Sequence, residues 1–160
     1  MRKIIVATLL FLGAARASGD IPANWKIVKD SKGACQISVP ENWTVGEDNT
    51  GSAYWQAPSV AIVVVTSQPN QQFKPVADFM LTRTMNVPKE NVFENSAKRV
   101  FFQDRLSPTG PDTRSLSVMV PGRTGTCSAH LVLSSTVTDE TGKKIAFSLA
   151  PAPEGQGAAQ

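Results

Sequence analysis

A chain of 160 residues that is 41% hydrophobic and 18% charged has the composition of a globular protein with enough apolar material for a core. Its formal charge of +3 and pI of about 9.0 would ordinarily point toward nucleic acid or an acidic membrane surface. That excess lies in the first residues. Removal of residues 1–17 takes away Arg2, Lys3 and Arg16, leaves all 13 acidic residues, and leaves 13 basic residues to balance them. The other Lys and Arg are scattered, Lys98-Arg99 and Lys143-Lys144 being the densest pairs, so no nucleic-acid partner is expected.

Met1-Arg2-Lys3 is a short positive region followed by an apolar run from Ile4 to Ala14 and by the small residues Ala15 and Ala17, the pattern of a cleaved secretory signal. The run is well short of the roughly 20 apolar residues a membrane-spanning helix needs. Cleavage after Ala17 is expected, with a neighbouring small residue as the alternative, and a secreted or periplasmic domain follows that does not insert stably in a membrane. Residues 18–150 fit one domain, and residues 151–160, rich in Pro, Gly, Ala and Gln, read as a disordered tail. Two cysteines in an exported chain predict a disulfide between Cys35 and Cys127.

In chain order, Trp25, Ile27 and Val28 mark a leading strand or arm that ends in the turn Asp30-Ser31-Lys32-Gly33. Cys35, Ile37 and Val39 then alternate with Gln36 and Ser38 as in a half-buried strand. Pro40 ends it, and Trp43 packs back from the following turn. The turn Asn49-Thr50-Gly51 leads into a strand through Tyr54 and Trp55, closed by Pro58. Residues 60–65 are apolar and β-branched without interruption, which suits a strand covered on both faces at the centre of the sheet. Phe73, Val76, Ala77, Met80, Leu81 and Met85 recur at helical spacing and predict the main helix over residues 72–86, starting near Lys74 because Pro75 fits only a first turn.

Val92-Phe93-Glu94-Asn95 and Val100-Phe101-Phe102 predict two further strands, and residues 107–112 an exposed loop. Leu116, Val118 and Val120, then Cys127, Ala129, Leu131 and Leu133, alternate on either side of Pro121-Gly122-Arg123-Thr124-Gly125 as a hairpin with one apolar face. Residues 138–149 are open between a hairpin and a short helix, with Gly142 favouring the hairpin because Gly in a helix interior costs about 1 kcal/mol relative to Ala.

This order of elements, with Ile37-Ser38-Val39-Pro40-Glu41-Asn42-Trp43 near its start and Ile145-Ala146-Phe147-Ser148-Leu149 at its end, resembles the PsbP-like fold. That fold is shared by a photosystem II extrinsic protein, a Ran-binding nuclear import factor and many exported bacterial proteins. The resemblance implies an α+β chain, an α/β/α sandwich on a central antiparallel sheet of about six strands, with the closing segment a short C-terminal helix. It also implies a non-catalytic binding or assembly module for a protein or envelope component, without transferring any functional residue.

The chemistry the residues permit is narrow. His130, the one histidine, alternates out of the apolar face toward Ser128 and Ser134 and is expected to be partly exposed. A Ser-His-Asp set is compositionally available, but no Gly-x-Ser-x-Gly elbow is present, and Cys127 and His130, three apart on a strand, face opposite ways. Two distant cysteines and one histidine form no recognisable zinc set, and the acidic turns Glu47-Asp48-Asn49 and Asp139-Glu140 lack a calcium-loop pattern. No phosphate loop or haem attachment motif occurs, and no cofactor is expected. His130, Trp43, Tyr54 and Trp55 are the candidate surface contacts, the three aromatics reading more readily as packing. The alternative function is a secreted hydrolase or small-ligand carrier whose site is assembled from residues distant in sequence.

Overall fold

The structure, a computed structural model, describes residues 21–47, 53–56, 61–104 and 113–154, with side chains described for 21–44, 63–104 and 113–154. The expected signal segment, the turn at residues 49–51, Pro58 and the loop at residues 107–112 lie outside the described residues.

Strands β1 (Trp25–Lys29) and β2 (Cys35–Pro40) form an antiparallel hairpin, and the short strand β10 (Ala150–Pro151) pairs on the other side of β2. Asp30 shapes the hairpin turn. Its Oδ1 accepts from the backbone N–H groups of Ala34 and Cys35, and its Oδ2 accepts from the Ser67 hydroxyl at 2.6 Å, so one buried carboxylate ties the turn to the neighbouring sheet. The larger sheet has seven antiparallel strands in the order β3 (Thr44–Glu47), β4 (Ala53–Gln56), β5 (Ala61–Gln68), β9 (Thr126–Ser134), β8 (Thr113–Pro121), β7 (Val100–Asp104) and β6 (Val92–Asn95). The chain is therefore α+β as expected, with seven strands in the main sheet and a second sheet of three. The centre is β9, two-thirds of whose residues are buried, and not β5. Val64 of β5 is only half-buried and Thr66 exposed, so β5 is fully covered on one face alone.

That face carries the main core. Val63, Val65, Leu116, Val118, Val120, Cys127, Ala129, Leu131 and Leu133 from the sheet meet Ile37 and Val39 of β2 and Ile145, Ala146 and Leu149 at the C-terminal end. The strict alternation in β8 and β9 accounts for it, since residues two apart share a face. The disulfide Cys35–Cys127 crosses this core and joins the two sheets, with both cysteines 1% exposed.

Residues 138–149 form the helix α1 (Asp139–Phe147), as the resemblance implies and against the hairpin that Gly142 favours. A Cβ at Gly142 would stand 2.6 Å from Cδ1 of Leu133, so the missing side chain is what lets α1 lie on the sheet. Thr138 caps the helix by accepting from the Thr141 N–H, and Asp139 and Glu140 in the first turn oppose Lys144 in the last, in line with the helix dipole. Lys144 hydrogen-bonds Glu140 one turn back at 2.8 Å and holds that carboxyl below its usual range. At the other end, Ser148 Oγ donates to the Ile145 carbonyl and accepts from the Ser38 N–H, which stitches α1 to β2. Replacing Thr138 by Ala orphans a first-turn N–H and is expected to lower stability by about 1 kcal/mol in urea unfolding.

Of the helix expected over residues 72–86, only residues 78–84 are helical. The Asn95 side-chain amide accepts from the Val76 N–H and donates to the Val76 carbonyl, the pairing a strand neighbour would supply, and the chain stays out of helix to residue 77. The helical residues 78–84 follow, widening to a π-helix over Met80–Thr84 and ended by Asn86 in the left-handed region at φ 54°. The apolar residues still serve a core. Phe73, Val76, Leu81 and Val87 pack on Val100, Phe102 and Met119 across the second face of the sheet, while Phe79, Met80 and Met85 stay exposed. At the start of the expected tail Pro151 pairs with Cys35, Ala152 is 3% exposed, and its N–H donates to the Ala34 carbonyl, while residues 155–160 lie outside the described residues. Among the described residues no helix is long and apolar enough to cross a membrane.

Candidate functional site

Two side-chain clusters stand out. The first lies on the second face of the main sheet, beyond the part covered by residues 73–87. Register alone assembles it, because Asp104 of β7 faces Ser115 of β8, and Ser117 of β8 faces His130 of β9. Asp104 Oδ2 accepts from both serine hydroxyls at 2.9 Å. Ser115 Oγ lies 3.1 Å from His130 Nε2, and Ser117 Oγ lies 3.2 Å from His130 Nδ1, with Asp104 Oδ2 3.7 Å from the same Nδ1. The imidazole is 47% exposed and Ser115 only 2%. His130 thus emerges as the alternation predicts, but Asp104, Ser115 and Ser117 are partners that no local motif announces. The Ser115, Ser117 alternation was the available signal, and it needed the strand pairing to acquire meaning.

These residue types are those of a hydrolytic triad, yet their arrangement differs from one. In a triad the nucleophile's proton is directed at the base nitrogen and the carboxylate holds the opposite nitrogen. Here both hydroxyl protons go to the carboxylate, and a serine oxygen faces each ring nitrogen.

The second cluster sits where α1 meets β6 and β7. A bulge between Val92 and Glu94 leaves Phe93 as the extra residue of β6. Its ring packs 4.9 Å from that of Phe101, which is 0% exposed and in turn meets Phe147 at the end of α1 edge-on at 5.6 Å. Phe93 and Phe147 remain 43% and 42% exposed. Arg99 stacks its guanidinium 4.3 Å over Phe147 while bonding Glu94 at 3.2 Å, and the Lys143 ammonium stands 5.3 Å over Phe93. Arg99 Nε–H is buried with no acceptor among the described residues, a cost of about 1–3 kcal/mol that the fold carries at this surface. Beside the rings a groove of about 180 Å³ has Phe101 and Leu116 in its floor and Asn91, Gln103, Arg114 and Lys143 around it.

A cleft of about 330 Å³ at the disulfide end is lined by residues around Gly33, Ser67 and the β8–β9 turn, with Lys32, Arg123 and Glu154 among them. The turn is pressed on β5, since a Cβ at Gly125 would meet the Gln68 carbonyl oxygen at 2.1 Å. Of the remaining candidates, Trp43 is core at 4% exposure and so offers no surface platform. Tyr54 and Trp55 run in β4, where Tyr54 shares a cross-strand row with Val64 and His130, and their side chains lie outside the described residues. The acidic turn at Asp139-Glu140 is occupied by cations, Arg114 at 3.1 Å and Lys144 at 2.8 Å.

The layering, with the small sheet and α1 on one face of an antiparallel sheet and an irregular segment on the other, is a PsbP-like fold. The solution structure of cyanobacterial PsbP (CyanoP) from Synechocystis sp. PCC 6803 matches it with a TM-score of 0.55 at 13% identity, covering 88% of this chain and 98% of that one. A crystal structure from Bacteroides thetaiotaomicron VPI-5482 gives a TM-score of 0.47, also at 13% identity, and this chain spans 50% of its length. By sequence, no family profile and no curated protein matches.

Proposed function

We propose that the mature domain is an exported, non-catalytic binding or assembly module that recognises a protein or other envelope component through the surface built by Phe93, Phe147, Arg99 and Lys143. The observation that carries this reading is the pair of half-exposed phenylalanines, held rigid on buried Phe101 and bracketed by two cations. Aromatic and Arg side chains of limited conformational freedom are what binding hot spots are made of. The disulfide supports an oxidising compartment, and the balanced charge of residues 18–160 supports a partner other than nucleic acid.

The test compares immobilised wild-type protein with the double variant Phe93→Ala/Phe147→Ala in capture from the native envelope fraction. Both positions are exposed, so the variant should keep its circular dichroism spectrum. It is expected to lose the wild-type partner by about thirtyfold or more, the factor that a single hot-spot ring worth about 2 kcal/mol gives. Identical capture by the two proteins sinks the proposal.

The Asp104, Ser115, Ser117 and His130 cluster favours the second reading, a secreted hydrolase. A fluorophosphonate probe separates the two: covalent labelling of Ser115 or Ser117 would establish a reactive nucleophile, whereas an inert serine pair is expected from hydroxyl protons committed to a carboxylate.

A further inference from the structure

Each serine hydroxyl has one hydrogen and two lone pairs, and an ionised carboxylate can only accept. Ser115 and Ser117 both donate to Asp104 Oδ2, so each has only lone pairs left to turn toward the imidazole. Both ring nitrogens are nevertheless within hydrogen-bond distance of a serine oxygen, at 3.1 Å and 3.2 Å. All four contacts can be hydrogen bonds together only when Nδ1 and Nε2 each carry a proton. A neutral ring has one bare nitrogen. The serine facing it must then either leave Asp104 or set lone pair against lone pair.

We infer that Asp104, Ser115, Ser117 and His130 form a proton-binding site, in which the imidazolium completes a clamp from the end of β7 across β8 to β9. With the second ring proton in place, two serines bridge a cation to a carboxylate on three adjacent strands. Loss of that proton releases one serine from Asp104 and so loosens the end of β7. Asp104 is the one charged group among the described residues that faces the ring from these strands. From β5 the register brings only Val64 opposite His130. Ser115 is 2% exposed, so its hydroxyl has little access to water as a replacement partner.

This site is independent of the aromatic surface and is tested on the whole domain. Because His130 is the one histidine in the chain, an ¹⁵N-edited imidazole spectrum contains a single ring. At pH 5 both ring N–H protons of the wild type are expected to exchange with water about tenfold more slowly than those of Ser115→Ala/Ser117→Ala, as befits two intramolecular hydrogen bonds from a charged donor. Equal exchange in the two proteins overturns the assignment. In the second measurement, amide protection factors at Asp104 and Ser115 are followed from pH 5 to pH 9 after correction for intrinsic exchange. They should fall in the wild type and stay level in His130→Gln, and a parallel fall in both would show that His130 does not hold the clamp.

Discussion

Replacing Cys35 and Cys127 together by Ala is expected to lower the unfolding free energy by about 4 to 5 kcal/mol, close to the full effect of closing a long loop in the unfolded chain. The bridge spans 92 positions, from the first residue of β2 to the second of β9, and is the covalent link between the two sheets. Loop-closure entropy grows logarithmically, so the long loop supplies most of that figure, yet doubling the loop would add only about 0.6 kcal/mol. Native geometry does not oppose it, since packing of the small sheet on the main one brings the two cysteines to a Cα separation of 5.6 Å. Both sulfurs are also buried in the main core, so the loss of packing adds to the loss of the link. Urea unfolding of the wild type and the double variant measures the difference. A loss below about 1 kcal/mol would mean that the unfolded chain is held compact by other means. Intact mass after alkylation without reductant gives the covalent check, because a bridged chain takes up no label.

How far such features could be read from the sequence depended on how local their causes are. Alternation in residues 115–120 and 127–133 is imposed by the sheet on each strand separately, so β8, β9 and the face carrying Cys127 were legible at once. The helix expected over residues 72–86 starts late, at residue 78, because its apolar spacing is real but the backbone of its first part is claimed by Asn95, a residue from a later strand whose amide replaces the helical partners of Val76. Gly142 misled in the opposite sense. Its helix-breaking tendency is local, whereas its purpose, close approach to Leu133, exists only after α1 docks. The Asp104, Ser115, Ser117 and His130 cluster depends on the register of three strands. His130 could be placed on a face, but its partners could not be named. Phe93 stands in a predicted strand and Phe147 in the closing segment with nothing local to mark them as surface residues, and a bulge and a helix end bring them there.

Phe101→Ala is expected to cost about 3 to 5 kcal/mol, the range for removing a fully enclosed phenylalanine. The ring is 0% exposed and stands between the main core and the two exposed rings, touching Phe93 on one side and Phe147 on the other. Its loss would open a cavity beneath them and remove two aromatic contacts worth about 0.5–1.5 kcal/mol each. Phe93→Ala, made on a ring already 43% in water, gives up much less burial and should cost about 1 kcal/mol. The pair therefore separates support from presentation. If the surface acts in binding, Phe93→Ala should weaken capture at nearly unchanged stability. Phe101→Ala should weaken both, because the remaining rings lose the support that holds them at the surface. Chemical unfolding and partner capture, measured on the same two variants, decide the matter. Equal stability losses for both variants would mean that Phe93 is a structural residue despite its exposure, and the binding surface would then have to be sought elsewhere.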